Sequence, residues 1–245
     1  MILEARGIVK RFGGVIALNK VDVSVAEDEI LGIIGPNGSG KTTFFNVVSG
    51  VYKPDEGKVI FNDKDITGKP PHIIARMGIA RTFQIVRPFP SMTVRENILV
   101  GAFFSGRKHE DSEHTDTLVN KILELTELSS KADLPAKALN LPEKRRLEIA
   151  RALALEPKVL LLDETLAGLT PAEIDHALDM IRKVKSEMGL TIIIVEHIMR
   201  AIMKISDRIV VFSNGVKIAE GTPSQVANDI KVIEAYLGKP IQGES

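Results

Sequence analysis

The chain has no cysteine and no tryptophan, and only 4% of its 245 residues are aromatic. Without cysteine there is no disulfide framework, no thiol nucleophile and no thiolate-ligated zinc. That usage fits a reducing compartment. Long apolar runs are missing as well. The densest, Val159 to Leu162 and Ile192 to Val195, fall far short of the ~20 residues that a membrane-spanning helix needs. The opening MILEARGIVKRF has neither an apolar leader core nor a small-residue cleavage site, so no secretory leader is expected. The chain is expected to be soluble, with any membrane role arising through a partner. An excess of one charge is also lacking, since Lys+Arg and Asp+Glu both number 32. No global field exists to hold nucleic acid or acidic lipid. What is plentiful is apolar: 44% of the residues are hydrophobic, which supports a large core and excludes wholesale disorder. The length suits one α/β domain with elaborations, or two small domains sharing a core.

Short apolar runs alternate with helix-period stretches, the pattern of βα units. Ile30 to Ile34, Val159 to Leu162 and Thr191 to Val195 are expected to be buried strands. Between the last two, Ile174, Ala177, Leu178, Ile181, Val184 and Met188 recur at helical spacing. Thr170 as N-cap and Pro171 at the first helical position set that helix's start. A right-handed parallel crossover is the default for such a unit. Ile2 to Val9, Ile16 to Val25 and Gly57 to Phe61 look like strands without long intervening helices, so an antiparallel patch is expected beside the parallel core. Ser105 to Asp116 is polar and charged and is expected to be a mobile loop. From Thr93 to about Leu155 the pattern is mostly helical, with Leu118, Val119, Ile122 and Leu125 on one face. The expected organisation is an α/β core over 1–86 and 157–221, an inserted helical subdomain over 87–156 and a helical tail over 222–245. No internal repeat is visible.

Gly35-Pro36-Asn37-Gly38-Ser39-Gly40-Lys41-Thr42 fits G-x-x-x-x-G-K-[ST], a match expected by chance in on the order of one chain in a hundred. Here a strand precedes it and a helix follows, the context the motif requires. Glycines let backbone N–H groups converge on phosphate oxygens, and the helix N-terminus adds partial positive charge. Lys41 would reach the β- and γ-phosphates, and the Thr42 hydroxyl would hold Mg2+. Val159-Leu160-Leu161-Leu162-Asp163-Glu164 supplies a buried strand ending in two carboxylates. Asp163 suits the outer shell of the metal, and Glu164 suits polarising an attacking water.

With GPNGSGKTT and LLLLDE in place, nearly the whole chain resembles the ATP-binding subunit of ABC transporters. The resemblance implies a P-loop NTPase (RecA-like) core with a mainly parallel sheet, an N-terminal antiparallel β patch and an inserted α-helical subdomain. It implies ATP and Mg2+ as ligands, bound by Gly35 to Thr43, with Thr42, Gln84 and Asp163 at the metal. Phe12 in KRFGG looks like the aromatic residue that stacks on adenine, although a core residue would look the same. Gln84 in RTFQ looks like the glutamine that touches metal and water and links to the membrane subunits. His197 in VEHIM lies where the family's switch histidine contacts the γ-phosphate. Ala167-Gly168-Leu169-Thr170 occupies the position of the loop at the dimer seam, with Thr170 where Asp or Asn is more usual. RTFQIVRPFPSMTVRENILVG, RRLEIARAL, AGLTP and KVIEAYLG look most like ATPases of branched-chain amino-acid importers. Such a chain would be a peripheral protein on the cytoplasmic face of the cell membrane. It would pair with an identical chain or a paralogue beneath transmembrane permease subunits, with a solute-binding protein delivering the amino acid and no nucleic acid involved. Rival expectations are an ATPase for amide or urea import or lipid export, a soluble ABC-like regulator, or a non-hydrolysing subunit that activates its partner.

The family's LSGGQ signature is replaced by Leu139-Asn140-Leu141-Pro142-Glu143. That segment should point a helix N-terminus at the γ-phosphate held by the opposite subunit. Asn140 and Glu143 have capping-box spacing, and Pro142 is tolerable in a first turn. Glu143 would bring a carboxylate towards a polyanion; at ~5 Å and an effective dielectric of about 20, like unit charges repel by roughly 3 kcal/mol unscreened. A slow composite site is expected, unless backbone contacts suffice. Three other patterns are set aside. Asn19-Lys20-Val21-Asp22 spells a guanine-reading motif but precedes the phosphate loop. Asp63, Asp65, Thr67 and Gly68 begin like a calcium loop but have Ile74 where the bidentate glutamate belongs. Lys144, Arg145 and Arg146 look like a solvated helix face, and His72, His109, His114 and His176 lack metal-ligand spacing.

Overall fold

The computed structural model describes residues 1–83, 87–105 and 112–237. Its described residues divide into two compact units, one comprising 1–70 with 193–237 and the other lying within 71–192.

The first unit begins with strands β1 (Leu3–Phe12), β2 (Val15–Val25) and β3 (Ile30–Ile34), helix α1 (Lys41–Val48), and strands β4 (Glu56–Phe61) and β5 (Lys64–Asp65). β2, β1, β4 and β5 form an antiparallel sheet in that order, the patch expected from the sequence. Its strands alternate buried and exposed positions, with Leu3, Ala5, Val21, Val23 and Phe61 facing inward, as a sheet covered on one side requires. β3 is buried at every position, the mark of a strand covered on both faces.

The second unit contains α2 (Pro71–Met77), β6 (Ile79–Arg81), α3 (Val94–Phe104), α4 (Ser112–Leu125), α5 (Leu141–Leu153), β7 (Val159–Asp163) and α6 (Pro171–Met188). β6 and β7 pair in parallel, Ile79 opposite Val159 and Arg81 opposite Leu161. Three of its helices start at capping boxes: Thr93 with Glu96, Asn140 with Glu143, and Thr170 with Glu173. In each, side chains satisfy N–H groups that the helix itself leaves unpaired. Val119, Ile122 and Leu125 are buried as the helical spacing implied, and Leu118 is half-buried. One expectation fails. Ser112 to Asp116 is not loop but the first turns of α4. Glu113 there complements the helix dipole, and Glu113 and Asp116 are exposed, so the polarity reports a solvated helix face. Residues 106–111 of that stretch lie outside the described residues.

β8 (Thr191–Val195) leads back into the first unit, which continues with α7 (Met199–Ile205), β9 (Arg208–Ser213), β10 (Val216–Gly221), α8 (Pro223–Ala227) and α9 (Ile230–Leu237). β9 runs parallel to β3, and β10 is antiparallel to β9. The Arg208 guanidinium grips Glu29 through Nε at 2.7 Å and Nη2 at 3.0 Å, tying the start of β9 to the turn before β3. Phe44 of α1 packs edge-on against Phe212 of β9, centroids 5.5 Å apart. Burying each such side chain contributes about 1.5–3 kcal/mol. The base of the loop after β3 is therefore held rigidly.

Candidate functional site

In the first unit, β3 ends at Ile34 and the chain turns through residues 35–40 into α1. A Cβ on Gly35 would lie 2.1 Å from the Phe212 carbonyl oxygen, and one on Gly40 would lie 2.6 Å from that of Ala17. Gly40 is also left-handed, at φ 105°. Only glycine fits either place. Whereas α3, α5, α6 and α8 all start at capping boxes, α1 has no side-chain cap and no acidic residue in its first turn. Its N-terminal positive end is thus not neutralised by the chain's own side chains. Ser39 is 2% exposed and its Oγ has no hydrogen-bond partner among the described residues. A buried hydroxyl left this way is costly and points to an acceptor supplied from outside. Lys41 is buried and donates to the carbonyls of Gly35 at 2.7 Å and Pro36 at 3.0 Å, folding its ammonium over the loop. Thr42 is exposed and Thr43 half-buried. An ammonium, an orphaned hydroxyl and an uncapped helix start fit a polyanion.

Phe12, at the end of β1, is 42% exposed, so it is not a core residue. Its ring meets Tyr52 edge-on at 5.2 Å, and the Lys10 ammonium lies 5.5 Å from its centroid. His197 is exposed in the bend between β8 and α7, after the fully buried β8. Tyr236 of α9 was not foreseen. Its phenol oxygen accepts the Gly35 N–H, and burial pushes the phenol pKa upward against that bond. Nothing in KVIEAYLG ties it to residue 35, about two hundred positions earlier in sequence.

In the second unit, β7 delivers Asp163 at 3% exposure. Arg81 Nη2 donates to its carboxylate at 2.7 Å, and both side chains are almost fully buried. The Asp163 N–H donates to Thr82 Oγ1 at 3.1 Å. Arg81 is the residue that sequence reasoning missed, although an arginine ending a short apolar strand was a signal that its charge needed a partner. Glu164 follows in a left-handed conformation at φ 48°. For a residue with a Cβ this costs about 1–2 kcal/mol, and such strain concentrates at functional positions. A hydroxyl from Thr42 and a carboxylate from Asp163 are the hard oxygen donors a Mg2+ ion prefers. Gln84 lies outside the described residues. The structure thus puts Phe12, Gly35 to Thr43 and His197 in the first unit, and Asp163 and Glu164 in the second.

The variant signature forms a normal helix start. Asn140 Oδ1 accepts the Glu143 N–H and Glu143 Oε2 accepts the Asn140 N–H, both at 3.0 Å. Glu143 also receives the Lys131 ammonium. Burial alone would raise its pKa, but the Lys131 and Asn140 donors outweigh burial and hold the carboxyl below its ordinary range. The charge feared as a repellent is turned inward and paired. Leu141 is 44% exposed, and a Cβ on Gly168 would lie 3.0 Å from its Cδ2. Arg145 donates to the Ala167 carbonyl at 3.3 Å, so the start of α5 and the loop before α6 are linked.

The set-aside patterns have ordinary structural work. Asp22 accepts the Gly7 N–H at 2.7 Å, and Asp65 accepts the Thr67 N–H at 2.8 Å. Arg146 and His176 both engage Glu127, at 2.9 and 2.6 Å. Among the described residues no group of three or more His, Cys, Asp or Glu could hold a metal. No described helix is long and apolar enough to cross a membrane.

Residues 18–167 match the ABC transporter family, and residues 216–240 match the family of branched-chain amino acid ATP-binding cassette transporters. The chain is 41% identical to the high-affinity branched-chain amino acid transport ATP-binding protein BraF of Pseudomonas aeruginosa, over 97% of this chain and 98% of that protein. It superposes on the crystal structure of the ADP conformation of an ABC transporter cassette with TM-score 0.88 and 38% identity, covering 97% of this chain and 99% of the other. A cassette solved as a dimer after hydrolysis, bound to ADP and phosphate, aligns with TM-score 0.79 and 25% identity, over 90% and 98% of the two chains.

Proposed function

The chain belongs to the ABC transporter ATP-binding family, and on that premise we propose that it hydrolyses Mg2+·ATP to drive uptake of branched-chain amino acids. It is an ATP-binding subunit, and such subunits are ATPases. The observation that carries the nucleotide reading is the joint presence, at the uncapped start of α1, of the orphaned Ser39 hydroxyl and the folded Lys41.

In this reading the backbone of Gly35 to Gly40, the Ser39 hydroxyl and the Lys41 ammonium hold the triphosphate, with Thr43 and the exposed Phe12 beside the nucleotide. Lys41 would exchange two carbonyl partners for phosphate oxygens, a move from neutral to charge-assisted hydrogen bonds. Thr42, Asp163 and Gln84 would hold Mg2+, which when bound neutralises charge on the β- and γ-phosphates. Glu164 orients and polarises the attacking water, and His197 contacts the γ-phosphate. Two chains, identical or paralogous, would close head to tail on the nucleotide beneath permease subunits, at the cytoplasmic face of the membrane. The dimeric cassette among its relatives supports that arrangement. The site using Asn140 to Glu143 would be the slower of the pair. Pro142 removes one N–H donor, and Asn140 and Glu143 already occupy each other.

The test is Glu164→Gln in the assembled transporter. Nucleotide binding should persist while hydrolysis falls by about 10²–10⁴-fold, the usual worth of a general base. Unchanged hydrolysis would remove Glu164 from this role. Uptake of labelled leucine against labelled urea in proteoliposomes separates the branched-chain reading from its rivals.

A further inference from the structure

In the second unit, α5, the loop over residues 164–170 and α6 line a cavity of about 250 Å3. Its walls are largely aliphatic. Ile149 of α5, Leu166 of the loop, and Met180 and Ile181 of α6 all line it, each less than 5% exposed. Branched chains and an adaptable thioether make a surface suited to an alkyl body.

Two polar residues open onto this apolar space. Thr165, two positions past the end of β7, is 2% exposed, and its Oγ1 has no hydrogen-bond partner among the described residues. A hydroxyl buried in this way is costly and calls for an acceptor from outside the chain. Arg145, half-buried on α5, lines the same cavity. It donates to the Ala167 carbonyl at 3.3 Å, a long bond to a neutral acceptor. A carboxylate would offer that guanidinium a charge-assisted bond, roughly twice as strong. The remaining charged groups of the lining are engaged with one another or with the backbone. Arg146 and His176 both meet Glu127, and Glu173 accepts the Thr170 N–H and hydroxyl at 2.7 and 2.9 Å.

We propose that this cavity is a binding site for an aliphatic monocarboxylate of about eight carbons. The alkyl chain lies against Ile149, Leu166, Met180 and Ile181, and the carboxylate accepts from the Thr165 hydroxyl and the Arg145 guanidinium. The size follows from the volume. An apolar cavity of roughly 150 Å3 holds the six carbons of benzene, so about 250 Å3 suits about ten heavy atoms, as in octanoate. An alkylammonium is disfavoured, because it brings like charge to Arg145. None of these residues has a part in the nucleotide reading, so the proposal stands apart from it. A seated carboxylate ties α5 to the loop before α6 through one anion.

The experiment is titration calorimetry on the full chain with octanoate below its micellar concentration, octan-1-ol and octylammonium. It compares wild type with Thr165→Val and Ala177→Trp, since Ala177 lines the cavity from α6 and an indole there fills it. Thermal melting of each variant without ligand accompanies it. Octanoate should saturate a single site, and octan-1-ol should bind about tenfold more weakly, the worth of one charge-assisted hydrogen bond. Octylammonium should bind more weakly still, and Ala177→Trp should abolish octanoate binding. Thr165→Val should weaken octanoate by about tenfold yet melt no lower than wild type, because it deletes a hydroxyl that folding leaves unsatisfied. If wild type shows no saturable octanoate binding, the proposal is overturned. Equal affinity for octan-1-ol or octylammonium removes the carboxylate and overturns it too. Octanoate affinity unchanged in Thr165→Val, or lowered only together with the melting temperature, takes the hydroxyl out of recognition and refutes the assignment. If Ala177→Trp does not fold, the Thr165→Val comparison decides alone.

Discussion

Replacing Arg81 by alanine should destabilise the chain far more than a surface substitution, and Asp163 is the reason. The two side chains are 7% and 5% exposed and 2.7 Å apart, so the carboxylate loses its guanidinium in a place water does not reach. Breaking a buried pair from one side costs about 3–5 kcal/mol. For a domain of this size each kcal/mol lowers the melting temperature by roughly 2–4 °C, giving an expected loss of about 6–20 °C. Arg81→Ala with Asp163→Asn should recover much of that loss, because no charge then stays buried alone. Melting should be followed by differential scanning fluorimetry with and without Mg2+·ATP. The single variant's deficit should shrink when the divalent cation supplies the missing positive charge. A single variant melting within about 2 °C of wild type, less than 1 kcal/mol on the same scale, would refute the reasoning. So would a double variant no more stable than the single.

Asn140→Ala removes the cap of α5 and should cost about 1 kcal/mol, read as a lower urea midpoint. The lowered carboxyl of Glu143 gives that region stability that is present above the ordinary glutamate range and lost as pH falls through the lower folded value. The urea midpoint of wild type should therefore approach that of Lys131→Met in strong acid. Glu148 has the opposite sign. Its pKa is raised from 4.5 to about 7, so folding favours the protonated form, and its penalty grows as pH climbs from 4.5 through 7. Glu148→Gln should melt above wild type at pH 8 and lose that advantage by pH 5. Tyr236→Phe removes the acceptor on Gly35. At ~0.5–1.5 kcal/mol for one hydrogen bond, nucleotide affinity should fall by roughly two- to tenfold in a fluorescent-nucleotide titration.

The features legible in the sequence were those fixed by neighbours along the chain. β3 and β8 run over Ile30–Ile34 and Thr191–Val195, the limits their apolar runs implied. Thr170 and Asn140 cap the helices they precede, since a cap needs only the residue three positions on. The loop from Gly35 to Gly40 was visible because glycine spacing is itself the backbone requirement. What stayed hidden depended on distant partners. Arg81 meets a carboxylate 82 positions away, and Tyr236 reaches Gly35 from the last described helix. Glu143 spells a negative charge, and the approach of Lys131 from twelve positions earlier pairs it. Ser112 to Asp116 was misjudged because a helix turn facing water has the composition of a loop.

Glu164 sits at a backbone angle that glycine would occupy without strain. Random mutagenesis selected only for heat resistance would thus be drawn to glycine at this position, where exchanging the entire side chain, Cβ included, for a hydrogen atom relieves about 1 kcal/mol of strain. Under the role proposed for Glu164, a screen that scored survival on heating, and not turnover, would enrich hardy but inert transporters. Engineering this chain for thermal endurance should keep residue 164 fixed and seek its gains elsewhere.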